Sequence, residues 1–210
     1  MNHWLANSRR NLLPRSVAAC FETALAEWLF TGRVIVYAES RGIRCELCEH
    51  PHLSHHYEIS NDRTGHALLV GSRCILKFAD IRVLDGEGRA ITEYAQRRRH
   101  LREALKVELR QRALAPLREL WQLDRHNRAE IERAAERLET GRGVSPATLS
   151  LVFAEMERRG IEYEPHLYKI TLRDASSHRE LMAMPQAERE LIRPALSNEQ
   201  LRRYARLFEE

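Results

Sequence analysis

Lysine is nearly missing from this chain. It stands only at Lys77, Lys106 and Lys169, so 31 of the 34 basic residues are arginine. Missing too is any apolar run near the ~18–20 residues that a membrane span requires, which excludes a membrane-spanning helix. No P-loop, G-x-S-x-G, H-E-x-x-H or G-x-G-x-x-G string occurs, so the commonest nucleotide-binding, serine-hydrolase and zinc-protease signatures are excluded. No repeat of 20–50 residues and no low-complexity segment is present. Residues 1–15 are polar, with apolar stretches of only two or three residues. No secretory leader is read there, and a cytoplasmic chain is expected. Four cysteines in such a compartment do not predict disulfides.

What is present suffices for one or two cores, since 43% of the 210 residues are apolar. The net charge is +4, and residues 91–125, with 9 basic and 5 acidic side chains, carry all of it. Arginine makes planar, bidentate contacts with phosphate and guanine, which suits nucleic acid. A GC-rich genome would produce the same bias without any functional cause.

The hydrophobic pattern predicts an α+β chain. Residues 16–30 are expected to be a helix capped by Ser16, with Val17, Phe21, Leu25, Trp28 and Leu29 on one stripe. Arg33 to Tyr37 has strand character. Strands are expected at His55 to Ile59 and Ala67 to Val70, around a turn at Asn61 to Gly65, then a helix at Arg73 to Asp80 capped by Ser72. Ile91 to Leu114 predicts one long helix, ended or kinked by Pro116, with another at Leu117 to Leu123. Capping boxes are expected at Asn127 to Glu130 and Ser197 to Gln200. Ser145-Pro146 opens a helix that Gly160 ends. Tyr168 to Arg173 is a strand candidate, followed by helices near 177–184, 186–193 and the C-terminus. The expected organisation is an N-terminal helix plus a small zinc-bearing β-hairpin unit over 1–90. A mainly helical region over 91–210 follows, with its basic helix at 91–114.

The chemistry concentrates in residues 44–80. Cys45 and Cys48 have the spacing at which two thiolates face one ion from a tight turn, and Cys74 returns 26 residues later. Five of the ten histidines lie between His50 and His66. One structural zinc ion in a Cys3His site fits this inventory; free core thiols are the alternative. A redox C-x-x-C would want a thioredoxin-like context that the pattern lacks. The string C-E-L-C … H-Y-E-I-S-N-D-R-T-G-H-A-L-L-V-G-S-R-C-I-L-K-F resembles zinc-ribbon or treble-clef-like modules of poorly characterised bacterial, phage and plasmid proteins. The resemblance covers residues 44–80 and implies metal binding and a fold, not an activity. The second C-x-x-C of treble clefs is absent, because Lys77 stands three residues after Cys74. The fourth ligand must come from elsewhere. His56 is the choice, at the start of the first hairpin strand, with His52 and His55 as competitors and His50 too near Cys48. Cys20 is expected to be a small buried side chain. A catalytic zinc would want a general acid/base carboxylate in an H-x-E string, and neither Glu46 nor Glu49 lies in one.

On the basic helix, Arg99, Arg102, Lys106 and Arg110 share a face, with Arg97 and Arg98 near its start, and are the candidate nucleic-acid contacts. A solvated face with Glu103 and Glu108 pairs is the alternative. Residues 128–159 and the strand candidate after them would also suit a helix-turn-helix with a wing, although the turn at Thr140 to Ser145 is long and favours an ordinary helical hairpin. Arg173 and His178 resemble the R-x4-H pair of HEPN ribonucleases, which would imply RNA cleavage. The expected function is therefore non-catalytic nucleic-acid binding, DNA ahead of RNA, within a regulatory or mobile-element nucleoprotein complex. The alternative is a protein–protein adaptor, for example one docking on the transcription machinery.

Overall fold

The computed structural model describes residues 3–37 and 41–208. Among them the chain is α+β, with nine α-helices and one three-stranded antiparallel sheet. It divides into two units, Met1–Glu108 and Leu109–Glu210. Among the described residues no helix is long and apolar enough to cross a membrane.

The first unit opens with α1 (His3–Leu12) and α2 (Phe21–Leu25), followed by β1 (Trp28–Val36), β2 (His55–Asn61) and β3 (Ala67–Val70) in that spatial order. The expected helix over 16–30 is therefore mostly not helical. Glu27 explains the difference: its buried carboxylate accepts from the Val17 and Ala18 backbone N–H groups, each at 2.8 Å, and from Asn61 Nδ2 at 2.8 Å. Those bonds hold residues before Phe21 in a bend, while Trp28 pairs with Asn61 as the first residue of β1. Phe21, Leu25 and Trp28 are still buried, as a helical stripe would bury them, but Val17 is exposed. The apolar spacing is the same in both conformations.

The β1–β2 register shifts between Phe30 and Val34, where Gly32 takes φ +88° in a bulge. The β2–β3 hairpin forms where the sequence predicts it. Gly65, at φ +72°, donates its N–H to the Asn61 carbonyl at 2.9 Å. Tyr57, Ile59, Leu68 and Val70 are buried on these strands, in a core shared with Trp28, Phe30 and Leu101. After β3 comes α3 (Ser72–Lys77), with Gly71 rather than Ser72 at its N-cap.

The helix α4 (Tyr94–Leu123) is continuous through Pro116, so it does not end there and residues 117–123 extend it instead of forming another helix. Proline removes one ladder N–H and crowds the carbonyl four residues back, yet Ala113, Leu114, Leu117 and Leu120 bury apolar surface on both sides of it. That packing outweighs the local cost.

The second unit adds α5 (Arg128–Glu139), α6 (Pro146–Arg159), α7 (Ala175–Ala183), α8 (Gln186–Ile192) and α9 (Asn198–Arg203). Its core gathers Ile131, Ala134, Leu149, Val152, Phe153, Met156, Leu181 and Ile192. Ser145 caps α6 and Gly160 closes it at φ +67°. The Ser197–Gln200 capping box is complete, whereas Asn127 makes no side-chain cap. Asn127 instead donates Nδ2 to the buried carboxylate of Asp124 at 2.8 Å. The strand candidate at Tyr168 to Arg173 reduces to a single parallel bridge, Val144 with Ile170. No partner strand is offered to it among the described residues, so α5 and α6 form a helical hairpin without a β-wing.

Candidate metal centre and basic helix

Cys45 and Cys48 lie on the turn that precedes the hairpin, and Cys74 lies in the first turn of α3. The tertiary structure brings the three together. Their sulfur atoms all lie within 4.8 Å of one another and all three residues are buried. Cys45 Sγ and Cys74 Sγ are 3.6 Å apart, far beyond a disulfide bond, and the thiols are free. A tetrahedral zinc with bonds of about 2.3 Å would hold its sulfurs roughly 3.8 Å apart, so the donor set and its spacing fit a thiophilic ion. The three cysteines could hold a metal ion.

The turn is built for this arrangement. Glu49 N–H donates to the Cys45 carbonyl at 2.8 Å, and Glu49 sits at φ +65°, a conformation that costs a non-glycine residue. Side chains from α1 hold it there: Arg10 Nη2 reaches the Glu49 carboxylate at 2.6 Å and Asn11 Nδ2 at 3.0 Å. The Asn11 and Arg10 donors also keep the Glu49 carboxyl below its ordinary pKa. The Gly71 N–H points at Cys45 Sγ, 3.3 Å away. Sulfur–sulfur hydrogen bonding from Cys48 and Cys74 pulls the Cys45 pKa down, and the same sharing pushes Cys48 and Cys74 up. A metal bound here would displace the thiol protons. Neither Arg10 nor Asn11 carried a signal in the sequence, because nothing in a motif marks a contact 38 or 39 residues away.

His56 is not part of this group. Its Nε2 lies 2.9 Å from the Arg44 carbonyl and its Nδ1 lies 2.9 Å from the Tyr37 hydroxyl. A carbonyl can only accept, so Nε2 carries the proton and Nδ1 accepts from Tyr37. Both ring nitrogens of this buried histidine are spent, one on Arg44, the residue before the knuckle, and one on Tyr37, the residue after β1. His50 and His52 are exposed, and His55 packs edge-on against Tyr57. Among the described residues no histidine, aspartate or glutamate joins the three cysteines. Cys20, expected inside, is exposed and donates to Glu22.

The basic residues of α4 divide by role. Arg97 is 3% exposed. Its guanidinium donates to the carbonyls of Ile75, Phe78, Ala79 and Ile81, at 2.6, 3.3, 3.0 and 2.8 Å. The Ile75 carbonyl belongs to the last turn of α3, where helix carbonyls lack an intrahelical donor, and the other three lie in the chain that follows it. Arg97 therefore offers nothing to a phosphate, which corrects its place among the nucleic-acid candidates. Arg98, Arg99 and Arg102 are exposed, and no ion pair engages them among the described residues. Lys106 is paired with Glu103 at 2.7 Å, and Arg110 is half-buried in the second unit.

Arg173 is exposed just before α7, whose N-cap is Asp174. The half-buried His178 holds the Tyr204 hydroxyl at 2.7 Å from Nδ1. No protein-family model matches the chain, and no curated protein or solved structure matches it.

Proposed function

We propose that the chain is a non-catalytic nucleic-acid-binding protein whose first unit is held by one structural zinc ion, acting within a regulatory or mobile-element nucleoprotein complex. Cys45, Cys48 and Cys74 would hold the ion. Bound there, it would supply folding free energy, cross-linking the knuckle to α3. The observation that carries nucleic-acid binding is the run of Arg98, Arg99 and Arg102, all exposed on α4 without a carboxylate partner among the described residues. Arginines that are not neutralised internally are available to phosphates, and each contact releases counterions. DNA stands ahead of RNA in this reading.

The experiment has two arms. Purified protein should carry about one zinc per chain, lost in the double variant Cys45→Ser, Cys48→Ser together with the local fold. Replacing Arg98, Arg99 and Arg102 by Gln should weaken binding to all sequences alike and flatten the log–log salt slope by about 2–3 units. Gln is a good helix former, so α4 should persist. Equal affinities for wild type and triple variant, with a protein partner retained in nuclease-treated lysate, would favour the adaptor instead.

A further inference from the structure

Tyr94 opens α4 and is 58% exposed. Arg98 follows one helical turn later and Arg102 one turn after that, at steps of about 6 Å along the axis. Residues four apart share a helix face, so the three side chains make one ridge, an aromatic ring followed by two guanidinium groups. All three are exposed. Among the described residues no ion pair joins Arg98 or Arg102 to a carboxylate; Glu103, the nearest acidic residue along the helix, pairs with Lys106 at 2.7 Å. Arg102 also stands close enough to Tyr57 for its charge to act on the phenol.

We infer that Tyr94, Arg98 and Arg102 form a track for single-stranded nucleic acid, with one base stacked on the Tyr94 ring and the adjoining phosphates taken by the two guanidinium groups. This rests on the nucleic-acid reading above and narrows it to a substrate class. An exposed ring on a basic ridge gains by stacking only where a base presents its face. A duplex keeps its base faces in the stack, whereas a single strand splays them out. Every base has a π-face, so the track would tolerate sequence while the arginines fix the path of the backbone.

The test titrates full-length protein against labelled oligothymidine, oligouridine and a mixed-sequence duplex. The variants are Tyr94→Ala, Tyr94→Phe and the double variant Arg98→Gln, Arg102→Gln. Circular dichroism verifies that each is folded. Tyr94→Ala should weaken single-strand binding about 5- to 100-fold without changing the salt slope, and Tyr94→Phe should restore it. The arginine variant should weaken binding and flatten the single-strand slope by roughly 1.4 units. Duplex binding should not respond to Tyr94→Ala. Unchanged single-strand affinity in Tyr94→Ala, or an equal loss on duplex, would overturn the track. If the arginine variant weakens duplex binding while Tyr94→Ala changes nothing, only the single-strand inference falls. If neither variant affects any nucleic acid, the parent reading falls with it.

Discussion

The Arg97 guanidinium donates to the Ile75 carbonyl at 2.6 Å, at the end of the helix whose first turn carries Cys74. One arginine of α4 thereby caps α3. The last carbonyls of a helix have no intrahelical donor, and a buried cation beside them also meets the negative end of the helix dipole. The same side chain reaches Ala79 and Ile81, so it organises the whole chain reversal after α3.

Arg97→Met should therefore destabilise the first unit by about 2–4 kcal/mol, since several buried carbonyls lose their donor together. Arg97→Lys should recover little, because a single ammonium cannot fork across carbonyls of different residues. Urea denaturation gives the number. A midpoint equal to wild type in Arg97→Met would show that water replaces the guanidinium at no cost.

His56→Ala should leave metal content unchanged while lowering stability by about 1–3 kcal/mol. The lost ring leaves the Tyr37 hydroxyl and the Arg44 carbonyl without their partner. Elemental analysis alongside thermal unfolding separates the two effects. Stoichiometric loss of the ion in this variant would make His56 a ligand, reached by breaking both of those bonds.

Gly143→Ala should cost more than Gly141→Ala, even though only Gly141 has a positive φ. A Cβ on Gly143 would lie 2.7 Å from the Thr171 backbone nitrogen and 2.9 Å from the Ile170 carbonyl carbon, where backbone meets backbone. At Gly141 the space is open and only the φ of +70° is unfavourable. Losses of about 2 kcal/mol or more against about 1 kcal/mol are expected from denaturation. The reverse order would mean that the Val144–Ile170 bridge is not a fixed contact.

Asp124 should make the second unit acid-sensitive. Its pKa falls to about 2, chiefly through the Asn127 side-chain hydrogen bond, with the His126 and Asn127 N–H groups and Arg159 contributing. A carboxylate depressed in the folded state adds stability above its unfolded pKa of about 4 and loses it as pH falls through the folded value. Stability should therefore decline between about pH 4 and pH 2, and Asp124→Asn should flatten that decline. Urea midpoints measured across this range would show it. Parallel profiles for the two proteins would remove Asp124 from the acid response.

Much of the local structure was legible because its cause is local. Gly65 in the hairpin turn, Ser145-Pro146 at the start of α6, Gly160 at its end and the Ser197 box each act through their own backbone or a neighbour within four residues. The C-x-x-C spacing likewise announced a shared site for Cys45 and Cys48, and the third cysteine after a hairpin completed the trio. Over residues 16–30 the reading failed because a group outside the expected first turns overrode a local preference. The carboxylate of Glu27 captured the N–H groups at Val17 and Ala18 and set aside a helix that the apolar spacing favoured.

His56 and Arg97 show the same limit at the level of side chains. Their residue types suit a metal ligand and a phosphate contact, and their positions in the sequence agree with those roles. Burial decided otherwise, because a polar group taken out of water must spend its hydrogen bonds on whatever the fold puts beside it. For His56 that was Tyr37 and Arg44, and for Arg97 the end of α3. Arg98, Arg99 and Arg102 remained exposed one to five residues further on. Residue type supplied the chemistry each side chain could perform, and the packing of α4 against its unit decided which of them were left free to perform it.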